Sequence, residues 1–256
     1  MHPIIDITHL TKRYHSRGRT VSALQDINLP VEQGSFTTLI GPSGCGKSTI
    51  LKIIAGIALP YDGQLRYKGR DITAMNTDVG FVTQDSNLFP WLTLIENVAL
   101  ALKIRGLPVE PRHSEAQRFI DMMELSGFEH HYPHELSGGM QKRGSIIRTL
   151  IYNPEVILMD EPFGPLDAQT RLLLQDELLR IWDQNKKTIL FVTHDLTEAI
   201  ALSDKVVLMT KRPGTVKRIF DVPLPRPRNV FEIHNEQGFR DIYHEIWESF
   251  RTEIKI

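Results

Sequence analysis

Residues 41 to 49 read Gly41-Pro42-Ser43-Gly44-Cys45-Gly46-Lys47-Ser48-Thr49, and this stretch decides the fold. It fulfils the pattern G-x-x-x-x-G-K-[ST], whose glycines let consecutive backbone N–H groups curl around phosphate oxygens without side-chain clashes. Such a loop belongs between a strand and a helix, and both neighbours are present. Phe36–Ile40 is a short run with β-branched residues ending at Gly41, and Ser48–Leu59 follows with Ile50, Ile53, Ile54 and Ile57 at helical spacing. The N-terminus of that helix adds partial positive charge beside the loop. Lys47 is then in reach of β- and γ-phosphates, and the Ser48 hydroxyl suits a Mg²⁺ ligand. Cys45 reads as a small loop residue, not as a nucleophile.

A second element lies further along. Val156-Ile157-Leu158-Met159 is a buried-strand pattern that runs into Asp160 and Glu161. A strand of this kind delivers Asp160 to the C-terminal edge of a sheet, where the ligands of α/β proteins sit. There Asp160 suits a Mg²⁺ ligand or the partner of one. Glu161 is placed to polarise an attacking water.

Strands alternate with helices through the rest of the chain. Ile4–Leu10 and Ala23–Val31 read as strands joined by a polar connection at Ser16–Thr20. Trp91–Phe128 reads mostly as helix, interrupted at Gly106-Leu107-Pro108, and Ala168–Trp182 as a long amphipathic helix. Thr188–Thr193 and Val206–Met209 read as strands flanking a helix at Leu196–Leu202. The alternation implies an α/β core with parallel pairing. Composition shifts once, at Val222–Arg228, where three prolines in six residues predict an extended connector. Beyond it Phe239, Ile242, Tyr243, Ile246, Trp247 and Phe250 predict a short amphipathic helix.

Composition narrows the function classes. The chain has 256 residues, 30 basic against 31 acidic, and a formal net charge of −1. The length suits one large domain, or one domain with a subdomain or tail. The even balance offers no basic tract to hold nucleic acid. One cysteine excludes a disulfide framework and fits a reducing compartment. No stretch approaches the ~20 apolar residues that cross a bilayer. Met1–Asp6 lacks the layout of a signal peptide, so an intracellular location is expected. His130, His131 and His134 lack further ligands at metal-binding spacing and read as a solvated helix end.

Leu136-Ser137-Gly138-Gly139-Met140, followed by Gln141 and Arg143, names a family. Physically, Ser137 and two glycines opening a helix form a second phosphate-binding nest. Between the phosphate loop and Asp160, the string matches the signature loop of ABC-type ATPases, and the sequence resembles that family throughout. The resemblance implies a P-loop NTPase with a RecA-like core, an antiparallel β subdomain and an α-helical signature subdomain. It implies ATP and Mg²⁺ as ligands and a head-to-tail pair of copies, each nucleotide lying between one copy's phosphate loop and the other's Ser137–Gly139. By the same resemblance Tyr14 stacks on adenine, and Gln84 senses Mg²⁺ and the attacking water. Gly164-Pro165-Leu166-Asp167 crosses the dimer interface, and His194 touches the γ-phosphate. The implied division is an ATPase domain over 1–221, its helical subdomain at about 86–150, and a proline-rich connector with a C-terminal helix over 222–256.

Within the family the chain is most similar to importer ATPase subunits of the nitrate/sulfonate/taurine group. The strings are Leu88-Phe-Pro-Trp-Leu-Thr93, Glu96-Asn-Val98, Asp160-Glu-Pro-Phe163, Thr193-His-Asp195, Arg212-Pro-Gly214 and Pro223-Leu-Pro-Arg-Pro-Arg228. That likeness implies membrane permease subunits as partners, a solute-binding protein as an indirect one, no nucleic acid, and a peripheral place on the cytoplasmic face of the membrane. Asn87–Trp91 would receive the permease's coupling helix. The solute stays open among nitrate, alkanesulfonates, taurine, bicarbonate and pyrimidine-type precursors. Three departures stand out. Pro165 replaces a small residue, Lys142 replaces a common glutamine, and Gly144–Thr149 varies from the usual helix, while Arg143 and Arg148 match. A soluble ABC machine acting on nucleic acid or ribosomes is the rival, but the interval from Gly41 to Asp160 leaves no room for its inserted coiled coils or zinc modules. A P-loop kinase leaves Leu136–Met140 and His194 unexplained.

Overall fold

The computed structural model describes residues 3–16, 19–59, 61–164 and 166–253. The chain opens with β1 (Ile5–Ser16) and β2 (Arg19–Val31), which pair antiparallel and end with Ser16 opposite Arg19. The connection predicted at Ser16–Thr20 includes residues 17 and 18, which lie outside the described residues. Next come β3 (Phe36–Ile40) and α1 (Lys47–Ile54). The helix stops short of the expected Leu59. Gly56 takes φ 71°, its N–H bonds to the Ile53 carbonyl, and Ile57 N–H reaches back to the Lys52 carbonyl at 2.8 Å. This is the Schellman closure of a helix end.

Three strands follow, β4 (Asp62–Tyr67), β5 (Arg70–Asp71) and β6 (Val79–Val82). The predicted helical middle, Trp91–Phe128, holds α2 (Leu94–Ile104) and α3 (Val109–Met122), and the helix expected to open at Ser137 and two glycines is α4 (Gly138–Leu150). Helix α2 starts three residues later than expected because Thr93 caps it. Glu96 N–H bonds to the Thr93 hydroxyl, and Thr93 N–H to the Glu96 carboxylate. The second half of the chain supplies β7 (Val156–Asp160), α5 (Ala168–Asn185), β8 (Thr188–Val192), α6 (Leu196–Leu202), β9 (Lys205–Met209), β10 (Val216–Asp221) and α7 (Phe239–Arg251).

The strands form two sheets. One is antiparallel, in the order β2-β1-β4-β5. The other runs β10-β9-β3-β8-β7-β6, parallel throughout except for β10 on its edge. Central strands of a parallel sheet are buried on both faces, and here alternate residues serve two cores. Ile157, Met159, Ile189, Phe191, Val206 and Leu208 share a core with the helices other than α1, whereas Leu158, Leu190, Val192 and Val207 share one with α1 and the antiparallel sheet. Strand β3 sits in the middle, so the loop that follows it emerges at the centre of the sheet's C-terminal edge.

The proline-rich stretch is laid onto this body. The buried Arg228 donates to the carbonyls of Ile200, Ser203, Val222 and Leu224, and Arg226 pairs with Asp204 while lying 4.0 Å from the Trp182 ring centroid. Leu224, Ile233, Phe239, Ile242 and Ile246 join the core under the helices.

Candidate functional site

Strand β3 delivers Gly41, and the loop closes on α1 through Gly46, whose φ of 108° is left-handed. A Cβ there would meet Leu24 Cδ2 at 2.5 Å, so glycine is required by both conformation and space. Lys47 is buried and curls over the loop, its Nζ donating to the Gly41 carbonyl at 2.8 Å and the Pro42 carbonyl at 3.2 Å. Ser43 and Gly44 face solvent, and Thr49 follows Ser48 in the first turn of α1. Cys45 is buried beside Lys47, and burial pushes its thiol up.

Ser48 joins this loop to β7. Its hydroxyl donates to Asp160 Oδ1 at 2.8 Å. Burial raises the Asp160 pKa, opposed by that hydrogen bond, while the neighbouring Glu161 charge raises it further. A part-buried hydroxyl–carboxylate pair at a helix N-terminus is an all-oxygen donor set, which fits a hard divalent cation such as Mg²⁺.

Glu161 takes a left-handed φ of 43°, held by its N–H on the Val192 carbonyl at 3.0 Å and its carbonyl on Gly164 N–H at 3.2 Å. A non-glycine residue in that region points to a functional constraint. Strands β7 and β8 are parallel neighbours with Asp160 opposite Val192. The residues just beyond their ends therefore meet, and His194 Nδ1 lies 3.2 Å from Glu161 Oε2. Lys47, Ser48, Asp160, Glu161 and His194 thus gather at one edge of the sheet.

Among the described residues no hydrogen bond joins the predicted residues outside the phosphate loop to this cluster. Tyr14 is an exposed side chain on β1, with Lys12 Nζ 5.0 Å from its ring centroid. Asp167 caps α5, accepting from Thr170 N–H at 3.0 Å, a bond that holds its carboxyl low. Ser137 caps α4, accepting from Met140 N–H at 3.3 Å. Among the described residues no hydrogen bond joins Ser137, Gly138 or Gly139 to the cluster around Lys47. A Cβ on Gly138 would meet nothing within 4 Å, so no neighbour in this chain demands a glycine there. Gln84 is exposed at the start of the loop after β6, and the expectation attached to Pro165 falls on a residue outside the described ones.

Three residues were missed as parts of the site. Lys142 is buried on α4 and donates to the carbonyls of Thr83 at 2.6 Å and Gln84 at 2.8 Å; burial pushes its pKa down to about 8. Its only signal was the departure from glutamine. Arg212 Nε donates to the Gly44 carbonyl at 3.1 Å, bracing the phosphate loop from the turn after β9. Glu198 is buried one helical turn beyond His194 and accepts from Gln175 Nε2 at 2.8 Å. The spacing Asp195-x-x-Glu198 was its signal, since Asp195 caps α6 by accepting from Glu198 N–H.

Comparison with known proteins agrees with this geometry. Residues 24–164 match the family model for ABC transporters. An uncharacterized ABC transporter ATP-binding protein of Methanocaldococcus jannaschii is 48% identical over 225 residues, 88% of this chain and 84% of that protein. The aliphatic sulfonates import ATP-binding protein SsuB of Bacillus subtilis is 44% identical over 225 residues, 88% of this chain and 87% of its own length. A dimeric ATP-binding cassette solved in a post-hydrolysis state with ADP and Pi superposes with a TM-score of 0.78 at 32% identity, covering 85% of this chain and 98% of that one. The family model spans more than half of the chain and these relatives cover most of it, so the chain belongs to the ABC transporter ATP-binding family and is an ATPase.

Proposed function

We propose that this chain is the motor subunit of an importer for a sulfonate-type organic anion. In this reading it hydrolyses Mg-ATP as a head-to-tail pair of copies and moves partner permease subunits. The observation that carries it is the likeness, at 43% identity over 96% of this chain and 95% of the relative, to the aliphatic sulfonates import ATP-binding protein SsuB of Bacillus cereus.

In the proposed mechanism the amides of the loop from Gly41 to Thr49 and the helix N-terminus hold the phosphates, and Lys47 leaves its loop carbonyls for the β- and γ-phosphates. Ser48 and Asp160 would hold Mg²⁺, with Gln84 as a further oxygen donor from the loop after β6, and the bound ion would supply positive charge to the phosphates. Glu161 accepts a hydrogen bond from the attacking water, and His194 steadies that carboxylate and faces the γ-phosphate. Tyr14 stacks on the base, and Asp167 lies on the loop that crosses to the other copy.

The second copy would complete the site with its Ser137–Gly139. The open space around Gly138 supports close approach by a group from outside the chain. None of the described helices is long and apolar enough to cross a membrane, and the translocation path belongs in this reading to the permease subunits. The exposed pair Phe89 and Trp91, with ring centroids 5.3 Å apart, supports a docking role for Asn87–Trp91.

The test is uptake in cells lacking this chain. Loss of labelled alkanesulfonate uptake with nitrate uptake intact, restored by the wild-type chain and not by Lys47→Ala, is expected. Unchanged sulfonate uptake would overturn the solute, and loss of nitrate uptake would replace it.

A further inference from the structure

Helix α4 grips the loop after β6 along its length. Gln141 Oε1 accepts from the Ser86 hydroxyl at 3.1 Å, Lys142 bonds the carbonyls of Thr83 and Gln84, and Arg148 Nη1 donates to the Asn87 carbonyl at 2.7 Å. Gln141 and Arg148 lie seven residues apart, two turns along one helix face. Lys142 is the deepest of the three contacts, 1% exposed.

The Lys142 contact constrains direction. Successive carbonyls of an extended strand point to opposite sides, so one ammonium can hold those of Thr83 and Gln84 together only where the backbone turns. Fixing both carbonyls towards α4 fixes the Cα–Cβ direction of Gln84. The same helix begins at Ser137 and Gly138. Its hydrogen bonds go to this backbone, while the charges of Asp85 and Asp160 act on the ammonium from further away.

We propose that Lys142 is a positioning residue that joins Gln84 and the Ser137–Gly139 turn into one moving unit. A shift of Gln84 towards nucleotide on its own phosphate loop is thereby passed to the turn that meets the other copy's nucleotide. The inference rests on the head-to-tail reading above. Lys142 touches no reacting atom; it acts through the backbone of Gln84.

The experiment measures ATP hydrolysis by the full chain against ATP concentration for wild type, Lys142→Met and Lys142→Gln, with the melting temperature of each. Lys142→Met is expected to lower kcat about tenfold, within the range of coupling between sites. It should leave KM within about twofold and bring the Hill coefficient towards one. Lys142→Gln keeps a donor for the carbonyls and is expected to recover most of kcat and of the Hill coefficient. Lys142→Met leaves the Thr83 and Gln84 carbonyls without this donor, so a lower melting temperature is expected as well. If Lys142→Met fails to fold, hydrogen exchange on Lys142→Leu, which also lacks the donor, decides. With Glu161→Gln in both backgrounds, segments 83–87 and 137–140 should gain protection at one ATP concentration in wild type and at separated concentrations in the variant. Wild-type kcat and Hill coefficient in Lys142→Met, equal losses in Lys142→Met and Lys142→Gln, or protection gained together in Lys142→Leu would each overturn the proposal. Failure of the dimer reading shows elsewhere, as no ATP-driven dimer in the Glu161→Gln chain with Lys142 intact.

Discussion

His194 Nδ1 and Glu161 Oε2 lie 3.2 Å apart, each just beyond the C-terminal end of its strand. Parallel register places Asp160 opposite Val192, so the contact follows from the sheet and not from any local sequence. The imidazole constrains the carboxylate that would face the attacking water, and Glu161 is already held in the left-handed region by two backbone bonds.

Glu161→Gln should therefore keep ATP binding and lose hydrolysis by about 10²–10³-fold, the scale of a removed positioned catalytic group. The amide keeps the shape but lacks the carboxylate charge. Size-exclusion chromatography in MgATP should show a longer-lived dimer for the variant than for wild type. Near-normal phosphate release would remove Glu161 from the mechanism.

Tyr14 is 42% exposed on β1, with Lys12 Nζ over its ring, and in the proposed reading the ring meets the base. Tyr14→Ala should weaken ATP binding by about 1–3 kcal/mol, the range for base–aromatic stacking, and Tyr14→Trp should be tolerated. Equal ATP affinity in wild type and Tyr14→Ala, measured by calorimetry, would return the side chain to a packing role.

The shared site is tested by mixing two dead chains. Lys47→Ala and Ser137→Arg should each abolish hydrolysis alone, because both symmetric sites lose one half. Random pairing makes about half of the dimers hybrids, and each hybrid holds one intact Lys47 facing one intact Ser137. Some hydrolysis, or ATP trapping with Glu161→Gln added to both chains, should return. If neither exceeds the unmixed chains while subunit exchange is demonstrated, the head-to-tail arrangement is wrong.

Glu198 predicts a pH dependence of stability. Burial pushes its pKa up to about 7, against a usual glutamate value of 4.5, with the bonds from Thr193 and Gln175 opposing the shift. Between those two values the folded chain binds more protons at this site than the unfolded chain, so its contribution to stability falls as pH rises through that window. The change is at most about 3 kcal/mol. Glu198→Gln keeps the acceptor for Gln175 without the charge. It should raise the melting temperature at pH 8 and leave it nearly unchanged at pH 4.5. The same shift at both pH values would show that the effect is packing.

The sequence by itself determined what neighbours along the chain decide. Gly41–Thr49 lies between β3 and α1 because strand, glycine loop and helix are contiguous and each carries its own signal. Asp160 follows directly on the buried run of β7, so its delivery to the sheet edge needs only strand geometry. The tertiary structure decided what rests on residues distant in sequence. Strands β4 and β10 escaped notice because they bury so little, Leu65 and Tyr67 in one and Phe220 in the other, and their identity comes from pairing with β1 and β9. Gly56, which closes α1, has no room for a side chain because the Ala74 carbonyl would lie 2.0 Å from a Cβ there, a contact no local pattern encodes. Lys142 reaches Thr83 across 59 positions and Arg212 reaches Gly44 across 168. Local signals are written in propensity and periodicity, which act over a few residues. A buried donor's partner is chosen by whichever backbone carbonyl the folded chain brings to it, and carbonyls are identical in every residue.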